Sequence, residues 1–84
     1  MTVRVLFFAS LKEAVGCESL SIDLPEQLEL SAFIDRLAEQ LGAHAHQALT
    51  SESVRVAVNQ ELRNGPQVIS DGDEVAFLPP VTGG

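Results

Sequence analysis

Alternation of apolar and polar residues predicts several strands in this chain. Residues 2–9 are rich in β-branched and aromatic side chains and predict the first strand. Residues 20–24 alternate with a period of two, which is typical of a strand with one buried face, and Pro25 ends it. Further strands are predicted at 54–58, 67–69 and 74–78. Asn59 and Gln60 predict a tight turn after the first of these.

Helical spacing marks one long segment. Ser31 can cap a helix through its hydroxyl group, and Gly42 can end it. Between these positions, apolar residues recur three and four places apart, as they do on the buried face of a helix. They are Phe33, Ile34, Leu37, Ala38 and Leu41. A short helical turn is also predicted at 10–15, and residues 43–53 predict a loop with a helical turn at 47–49.

The order of the predicted elements is β-β-α-β-β-β. One amphipathic helix crossing one face of a mixed sheet of four to five strands indicates an α+β fold, the ubiquitin-like roll called the β-grasp. Pro79 and Pro80 end the last strand, because neither can donate a ladder hydrogen bond. We therefore expect a β-grasp domain at 1–78 and a flexible tail at 79–84, which has too little apolar surface to offset the cost of ordering it.

Two charged residues assign the faces of the first and last strands. Arg4 and Glu74 mark the face that points away from the helix, because side chains alternate between the faces of a sheet. If these strands are central neighbours, four apolar residues cluster on that outer face: Leu6, Phe8, Ala76 and Leu78. Isolated exposed apolar residues are ordinary. A cluster on an acidic domain, however, predicts a docking patch for a protein partner.

The composition favours a small globular protein that works with other proteins. The net charge is −7. The resulting negative electrostatic potential repels nucleic acids and anionic membranes and attracts a basic protein partner. No apolar run approaches the ~20 residues that cross a bilayer, and no leader opens the chain, so we expect a cytoplasmic location. A domain of 84 residues leaves little interior for a deep substrate pocket, so we expect no enzyme activity from this chain alone.

The reactive group of the tail is the carboxylate of Gly84. The pair Gly83-Gly84 has no Cβ atoms, so it can thread a narrow channel and leaves its carbonyl group open to attack. A main-chain carboxylate is ionised at neutral pH and is a poor electrophile until it is activated, for example by joining it to AMP. Lys12 is the only lysine, and no G-x-x-x-x-G-K-[ST] run exists to bind ATP. The activating enzyme must therefore be a second protein.

Three segments of the chain match one known family. Residues 71–84, DGDEVAFLPPVTGG, carry its C-terminal signature, and VLFFA at 5–9 and AVN at 57–59 also match. In these segments the chain resembles the small subunits of molybdopterin synthase, which are the sulfur carriers of molybdenum cofactor synthesis. The resemblance spans the whole chain, and the tail motif is specific.

The resemblance implies a mechanism centred on Gly84. An E1-like enzyme would adenylate this residue with ATP, and a sulfur donor of the desulfurase or rhodanese type would allow its conversion to a thiocarboxylate. The tail would then enter the large synthase subunit through Pro80, Val81, Thr82 and Gly83. There the sulfur would pass to precursor Z, the cyclic pyranopterin monophosphate, to build the dithiolene. No cofactor would be bound tightly by the chain itself.

The resemblance also implies a partner surface and an assembly. The family forms a heterotetramer with two large subunits at its centre, and hydrophobic residues of the sheet meet that partner. Phe8 and Leu78 occupy the matching positions. This agrees with the outer-face patch that alternation predicts independently.

Other interpretations of the tail remain open. An activated Gly84 also suits a ubiquitin-like modifier, which would be joined to lysine side chains of other proteins. It suits sulfur carriers of other pathways as well, such as thiamin thiazole or cysteine synthesis. A binding module with an inert tail is the third class.

Several chemistry-bearing residues lack the companions that a site needs. Cys17 could carry sulfur as a persulfide, but it has no CxxC partner. His44 and His46 have no third metal ligand nearby in sequence. Asp71 and Asp73 lack the rest of a calcium loop and predict a turn around Gly72 instead. We therefore expect no metal site.

Overall fold

The computed structural model describes residues 1–63 and 65–79. Its strands are β1 (Thr2–Phe7), β2 (Ser19–Asp23), β3 (Leu28–Glu29), β4 (Arg55–Val58), β5 (Glu61–Arg63), β6 (Val68–Ile69) and β7 (Glu74–Leu78). Its helices are α1 (Ser10–Val15), α2 (Leu30–Leu41) and α3 (Ala43–Leu49). The predicted tail, residues 79–84, lies outside this description apart from Pro79. The division into a domain and a flexible tail therefore stays a prediction.

Five strands form one mixed sheet in the order β2-β1-β7-β4-β5. The central pair, β1 and β7, is parallel, and the other neighbouring pairs are antiparallel. Strands β3 and β6 form a separate two-stranded sheet beside the start of α2. The predicted α+β roll of the β-grasp type is confirmed, as is the expectation that the first and last strands are central neighbours.

The core lies between the sheet and α2, the longest helix. The inner residues of β1 and β7 are almost fully buried, as alternation predicted: Val3, Val5, Phe7, Val75 and Phe77. The rings of Phe7 and Phe77 stack with their centroids 5.8 Å apart. From the helix side, Phe33 and Leu37 are both 0% exposed. Burial of these apolar side chains is the main stabilising contribution to the fold.

Helix α2 begins two residues earlier than the sequence predicted, because its cap is Glu29 and not Ser31. Ser31 lies inside the helix, and the capping residue is Glu29, whose side chain accepts a hydrogen bond from the Ser31 backbone N–H at 3.2 Å. A carboxylate can satisfy a free N–H of the first turn as well as a hydroxyl can. The predicted end is confirmed, because Gly42 follows Leu41 with a φ of 100°.

Residues 43–49 form a full helix where the sequence predicted a loop with one helical turn. Helix α3 is seven residues long, and Ala45 and Leu49 are buried. Such a short helix is marginal by itself, because helix nucleation is costly. Its stability therefore comes from packing these two residues against the rest of the domain, which local sequence does not reveal.

The turn at Asn59 and Gln60 is confirmed and leads into a strand that the sequence did not predict. Both residues have positive φ, 52° and 70°, and Val58 pairs directly with Glu61. Two central residues with positive φ make the type I′ turn that suits a two-residue hairpin. The hairpin brings Glu61–Arg63 alongside β4 as strand β5, at the edge of the sheet.

The Asn59 side chain ties this hairpin to the start of β7. Its amide nitrogen donates to Asp73 Oδ1, and its amide oxygen accepts from the Glu74 backbone N–H, both at 3.0 Å. The other Asp73 oxygen accepts from the Ser70 N–H at 2.8 Å, which holds the predicted turn around Gly72. These bonds lie at the end of β7 opposite to the tail, so they fix the sheet without touching the predicted site.

Replacing Asn59 should destabilise the domain by two separable effects. Asn59→Ala removes both side-chain hydrogen bonds and leaves a Cβ at positive φ, so we expect a loss of about 2 kcal/mol in the free energy of unfolding. Asn59→Gly removes the same bonds but tolerates the backbone angle, so its loss should be only about 1 kcal/mol. Urea unfolding of both variants measures the difference. Equal losses would show that the backbone angle contributes nothing.

Candidate functional site

The outer face of the sheet carries a continuous apolar row. In register, Leu6 of β1 faces Ala76 of β7, Ala76 faces Ala57 of β4, and Ala57 faces Leu62 of β5. Side chains that are directly opposite on one face of a sheet lie in contact range. The row therefore crosses four strands, and Phe8 and Leu78 extend it toward the tail.

This apolar row lines a concavity of about 440 Å³. Its lining residues are Leu6, Phe8, Ala57, Gln60, Leu62, Glu74, Ala76 and Leu78. Phe8 is 45% exposed and Leu62 is 61% exposed, whereas Leu6 and Leu78 are half-buried. We call the apolar members of this set the docking patch: Leu6, Phe8, Ala57, Leu62, Ala76 and Leu78.

The prediction that Ala76 is exposed is wrong. Ala76 lies on the outer face as predicted, but only 7% of its surface is accessible. Its side chain is a single methyl group, and Ala76 lies between Leu6 on one neighbouring strand and Ala57 on the other. Ala76 therefore forms the floor of the concavity, while Phe8 and Leu62 stand at its sides.

Two members of the docking patch were missed by sequence reasoning. Ala57 was assigned to a strand but to no face, and Leu62 was assigned to no element. The signal was present, because the two-residue turn at 59–60 places Leu62 directly opposite Ala57. Extending the hairpin by that register would have added both residues.

The docking patch ends where the tail begins. The Phe8 backbone N–H donates to the Phe77 carbonyl oxygen at 3.2 Å, which holds Phe8 beside the end of β7. Leu78 is the last residue of that strand, and Pro79 follows it. A protein that covers the patch must therefore also meet the first residue of the tail.

Polar residues surround the apolar centre of this face. Arg4 and Glu74 face each other in the β1–β7 register at the end away from the tail. Arg55 faces Leu78 at the end near the tail. An apolar centre with a polar rim is the usual layout of a protein–protein interface.

The five tail positions of the predicted site lie outside the described residues. They are Pro80, Val81, Thr82, Gly83 and Gly84. Their roles, and the reactive carboxylate of Gly84, therefore stay predictions. The structure does describe the docking patch, which ends beside Pro79 at the start of the tail.

Other chemistry-bearing residues do not converge on a second site in the described part of the chain. A groove of about 470 Å³ lies between α2 and α3, where His46 Nε2 is 3.8 Å from Asp35 Oδ1, both well exposed. Across 1–63 and 65–79, no three His, Cys, Asp or Glu side chains approach closely enough to hold a metal ion. Cys17 is half-buried. None of the helices formed by these residues has both the length and the apolar character to span a membrane.

Comparison with known proteins gives a consistent family assignment. The ThiS family model matches residues 5–84. The molybdopterin synthase sulfur carrier subunit of Escherichia coli is 37% identical over 87 aligned positions, which cover 98% of this chain and 99% of that protein. SAMP1 of Haloferax volcanii, a small archaeal modifier protein, is 26% identical over the full length of both chains, with a TM-score of 0.78.

A third relative has been solved together with its partner. It belongs to the complex of subunits 1 and 2 of the molybdopterin-converting factor from Helicobacter pylori, with 28% identity, complete coverage of both chains and a TM-score of 0.65. All three relatives match this chain over nearly its whole length. The chain belongs to the ThiS family, among the molybdopterin synthase sulfur carrier subunits.

Proposed function

We propose that this chain is the sulfur-donor subunit of a molybdopterin synthase and acts through the carboxylate of Gly84. The observation that carries the proposal is the position of the docking patch, which ends beside Leu78 and Pro79 at the start of the tail. A partner bound there receives the tail directly. The similarity to molybdopterin synthase sulfur carrier subunits over nearly the whole chain supports the same assignment.

Activation of Gly84 requires an enzyme other than this chain. An E1-like protein joins the carboxylate to AMP from ATP, which turns an oxide into a phosphate leaving group. The persulfide of a desulfurase- or rhodanese-type donor then attacks the carbonyl carbon and displaces AMP. A thiol cleaves the resulting acyl disulfide, which leaves the thiocarboxylate on Gly84 and a disulfide between the donor and the thiol. Because Gly84 has no side chain, its carbonyl carbon is open to the incoming sulfur.

The large synthase subunit supplies the site where the sulfur is used. In this proposal residues 79–84 serve as the tail of the domain at 1–78, and six residues span up to about 20 Å when extended. That reach places the thiocarboxylate of Gly84 inside the large subunit, where the sulfur passes to precursor Z. In this proposal the chain contributes no catalytic side chain and binds no cofactor of its own. The proposed assembly is a heterotetramer, in which one copy of this chain lies on each side of a central pair of large subunits.

Intact-mass spectrometry tests this proposal. The purified chain is incubated with the E1-like enzyme, ATP and a sulfur donor from the same organism. We expect its mass to rise by the difference between one sulfur and one oxygen atom, and omission of ATP should abolish the change. A chain that never gains this mass, although the activating enzyme consumes ATP on a known carrier, would contradict the proposal.

A protein-modifier function is the second candidate, because SAMP1 has the same fold and a similar sequence. A modifier shares the activation of Gly84 but passes it to the lysine amines of other proteins. The two functions therefore differ in the product. The last basic residue of the chain is Arg63, so tryptic digestion would leave residues 64–84 attached through Gly84 to a modified lysine. Peptide mass mapping of cell extracts should reveal lysines with this remnant if the chain is a modifier, and none if it serves only as a sulfur carrier.

A further inference from the structure

Arg55 borders the docking patch at the point where the tail begins. It is the first residue of β4 and pairs directly with Leu78, the last residue of β7. Opposite residues of an antiparallel pair share one face, with their Cβ atoms about 4.5–5.5 Å apart. The next pair, Val56 and Phe77, faces the core, so Arg55 and Leu78 face outward together. Arg55 therefore lies on the outer face, directly across from the last strand residue before the tail.

The Arg55 side chain is exposed and makes no ion pair within the described part of the chain. Arg63 on the neighbouring strand provides a contrast, since its Nη2 atom lies 3.1 Å from Glu61 Oε2. Lys12 likewise lies 3.8 Å from a carboxylate oxygen of Glu18. Among the described residues, Arg55 is thus a basic group at the docking patch with no carboxylate paired to it, and it can bind a carboxylate of a partner protein.

The sign of the charge at this point is opposite to that of the whole chain. The net charge is −7. By register, however, the charged residues on the outer face are two acids and two bases: Asp23, Glu74, Arg4 and Arg55. Arg4 faces Glu74 at the far end, which leaves Arg55 unbalanced near Leu78. Because screening limits charge interactions to about 8 Å at physiological ionic strength, a partner that docks here meets the local positive charge.

We propose that Arg55 binds an acidic side chain of the large synthase subunit and thereby orients this chain as its tail enters. This inference rests on the proposed function and names one contact of its docking surface. The planar guanidinium group can give two parallel hydrogen bonds to one carboxylate, which fixes direction as well as distance. Apolar burial at the docking patch has no such directionality. A directional contact beside Leu78 sets the line along which the tail leaves the sheet.

Charge reversal with a matched control tests this contact. Arg55→Glu and Arg36→Glu change the net charge equally, but Arg36 is an exposed residue of α2, on the helix side of the domain. Titration calorimetry with the large subunit of the same organism should show about a hundredfold weaker binding for Arg55→Glu and less than about a twofold change for Arg36→Glu. Thermal melts should show that both variants stay folded.

A conservative substitution separates the guanidinium geometry from its charge. Arg55→Lys keeps the positive charge but loses the two-pronged hydrogen bond, so we expect about threefold to tenfold weaker binding. Reversing the partner's acidic residue to lysine should restore binding to Arg55→Glu. Equal effects of Arg55→Glu and Arg36→Glu would overturn the inference, because the total charge would then govern association.

The outcome for Phe8→Asp distinguishes this inference from the proposed function. If that variant binds normally, the docking patch itself is misassigned, and the Arg55 contact is overturned with it. If Phe8→Asp loses binding while Arg55→Glu binds as the parent does, the docking patch stands and only the Arg55 contact is overturned.

Discussion

Adding one alanine after Gly84 is expected to abolish sulfur transfer by this chain, with a loss of at least about a hundredfold. The proposed chemistry takes place on the terminal carboxylate, and an extra residue moves that group by about 3.5 Å. It also places a Cβ beside the carbonyl carbon that the sulfur must attack, where Gly84 has none. Both changes act on the reacting atoms, although the docking patch is untouched.

Two readouts and one control make this experiment decisive. Thiocarboxylate formation is followed by intact mass, and dithiolene formation is followed with the large subunit and precursor Z. Thr82→Ala serves as the control, because it also alters the tail but preserves its length and its last two residues. We expect this control to retain most of the activity. Full activity of the extended chain, with mass spectra showing that its alanine is still attached, would refute the role of Gly84.

The central strands were predictable because their sequence pattern and their environment agree. Arg4 and Glu74 are the only charged residues in these otherwise largely apolar strands, and the face opposite to them is buried in each strand. A slip of one residue would move every inner side chain to the outer face, so the pattern permits one register only. That is why the buried set Val3, Val5 and Phe7 could be assigned from letters alone.

The elements that escaped prediction are those whose stability comes from elsewhere in the fold. Glu61–Arg63 contains one apolar residue, and it forms a strand because the turn at Asn59 and Gln60 holds it against β4. Helix α3 likewise depends on packing Ala45 and Leu49 into the domain. Such long-range contacts cannot be read from the local sequence pattern. They decide the secondary structure here, against the local preference of the sequence.

The sequence predicted which face carries the docking patch, but not the accessibility of each residue in it. Alternation assigned Leu6, Phe8, Ala76 and Leu78 to the correct face, but the expectation that all four are exposed there is wrong for Ala76. Exposure depends on the size of a residue and of its neighbours across the sheet, and Ala76 is covered where Phe8 is not. The strand register of β1, β7, β4 and β5 shows that Leu62 lies on the same face. Together these residues line a concavity, which the sequence pattern alone does not reveal.

The reaction itself could be inferred only from the tail and from the family. A main-chain carboxylate has no side-chain neighbours that would mark it as reactive in a fold. In the proposed mechanism its activation and its acceptor belong to other proteins, so the geometry of the described residues bears on docking and not on chemistry. The sequence of the tail and the structure of the sheet are thus complementary sources for one proposal.

Phe8→Asp is expected to weaken binding to the large subunit by at least about a hundredfold, with little effect on folding. Phe8 is 45% exposed in the free chain, so its removal should cost the domain no more than about 1 kcal/mol. In the complex, the new carboxylate would lie in the apolar centre of the interface, where an unpaired charge is strongly disfavoured. Aromatic residues at such centres carry a large share of the binding energy, which would also be lost.

Ser21→Asp is the matched control for this change. Ser21 is exposed on the same face, on edge strand β2 opposite Arg4, and it is not part of the docking patch. The variant adds the same charge to the same side of the sheet, so we expect its affinity to change by less than about threefold. Calorimetric titration measures both affinities, and urea unfolding confirms that both variants are folded. Parental affinity in Phe8→Asp would remove the sheet face from the interface, since no tight apolar contact accommodates an unpaired carboxylate at its centre.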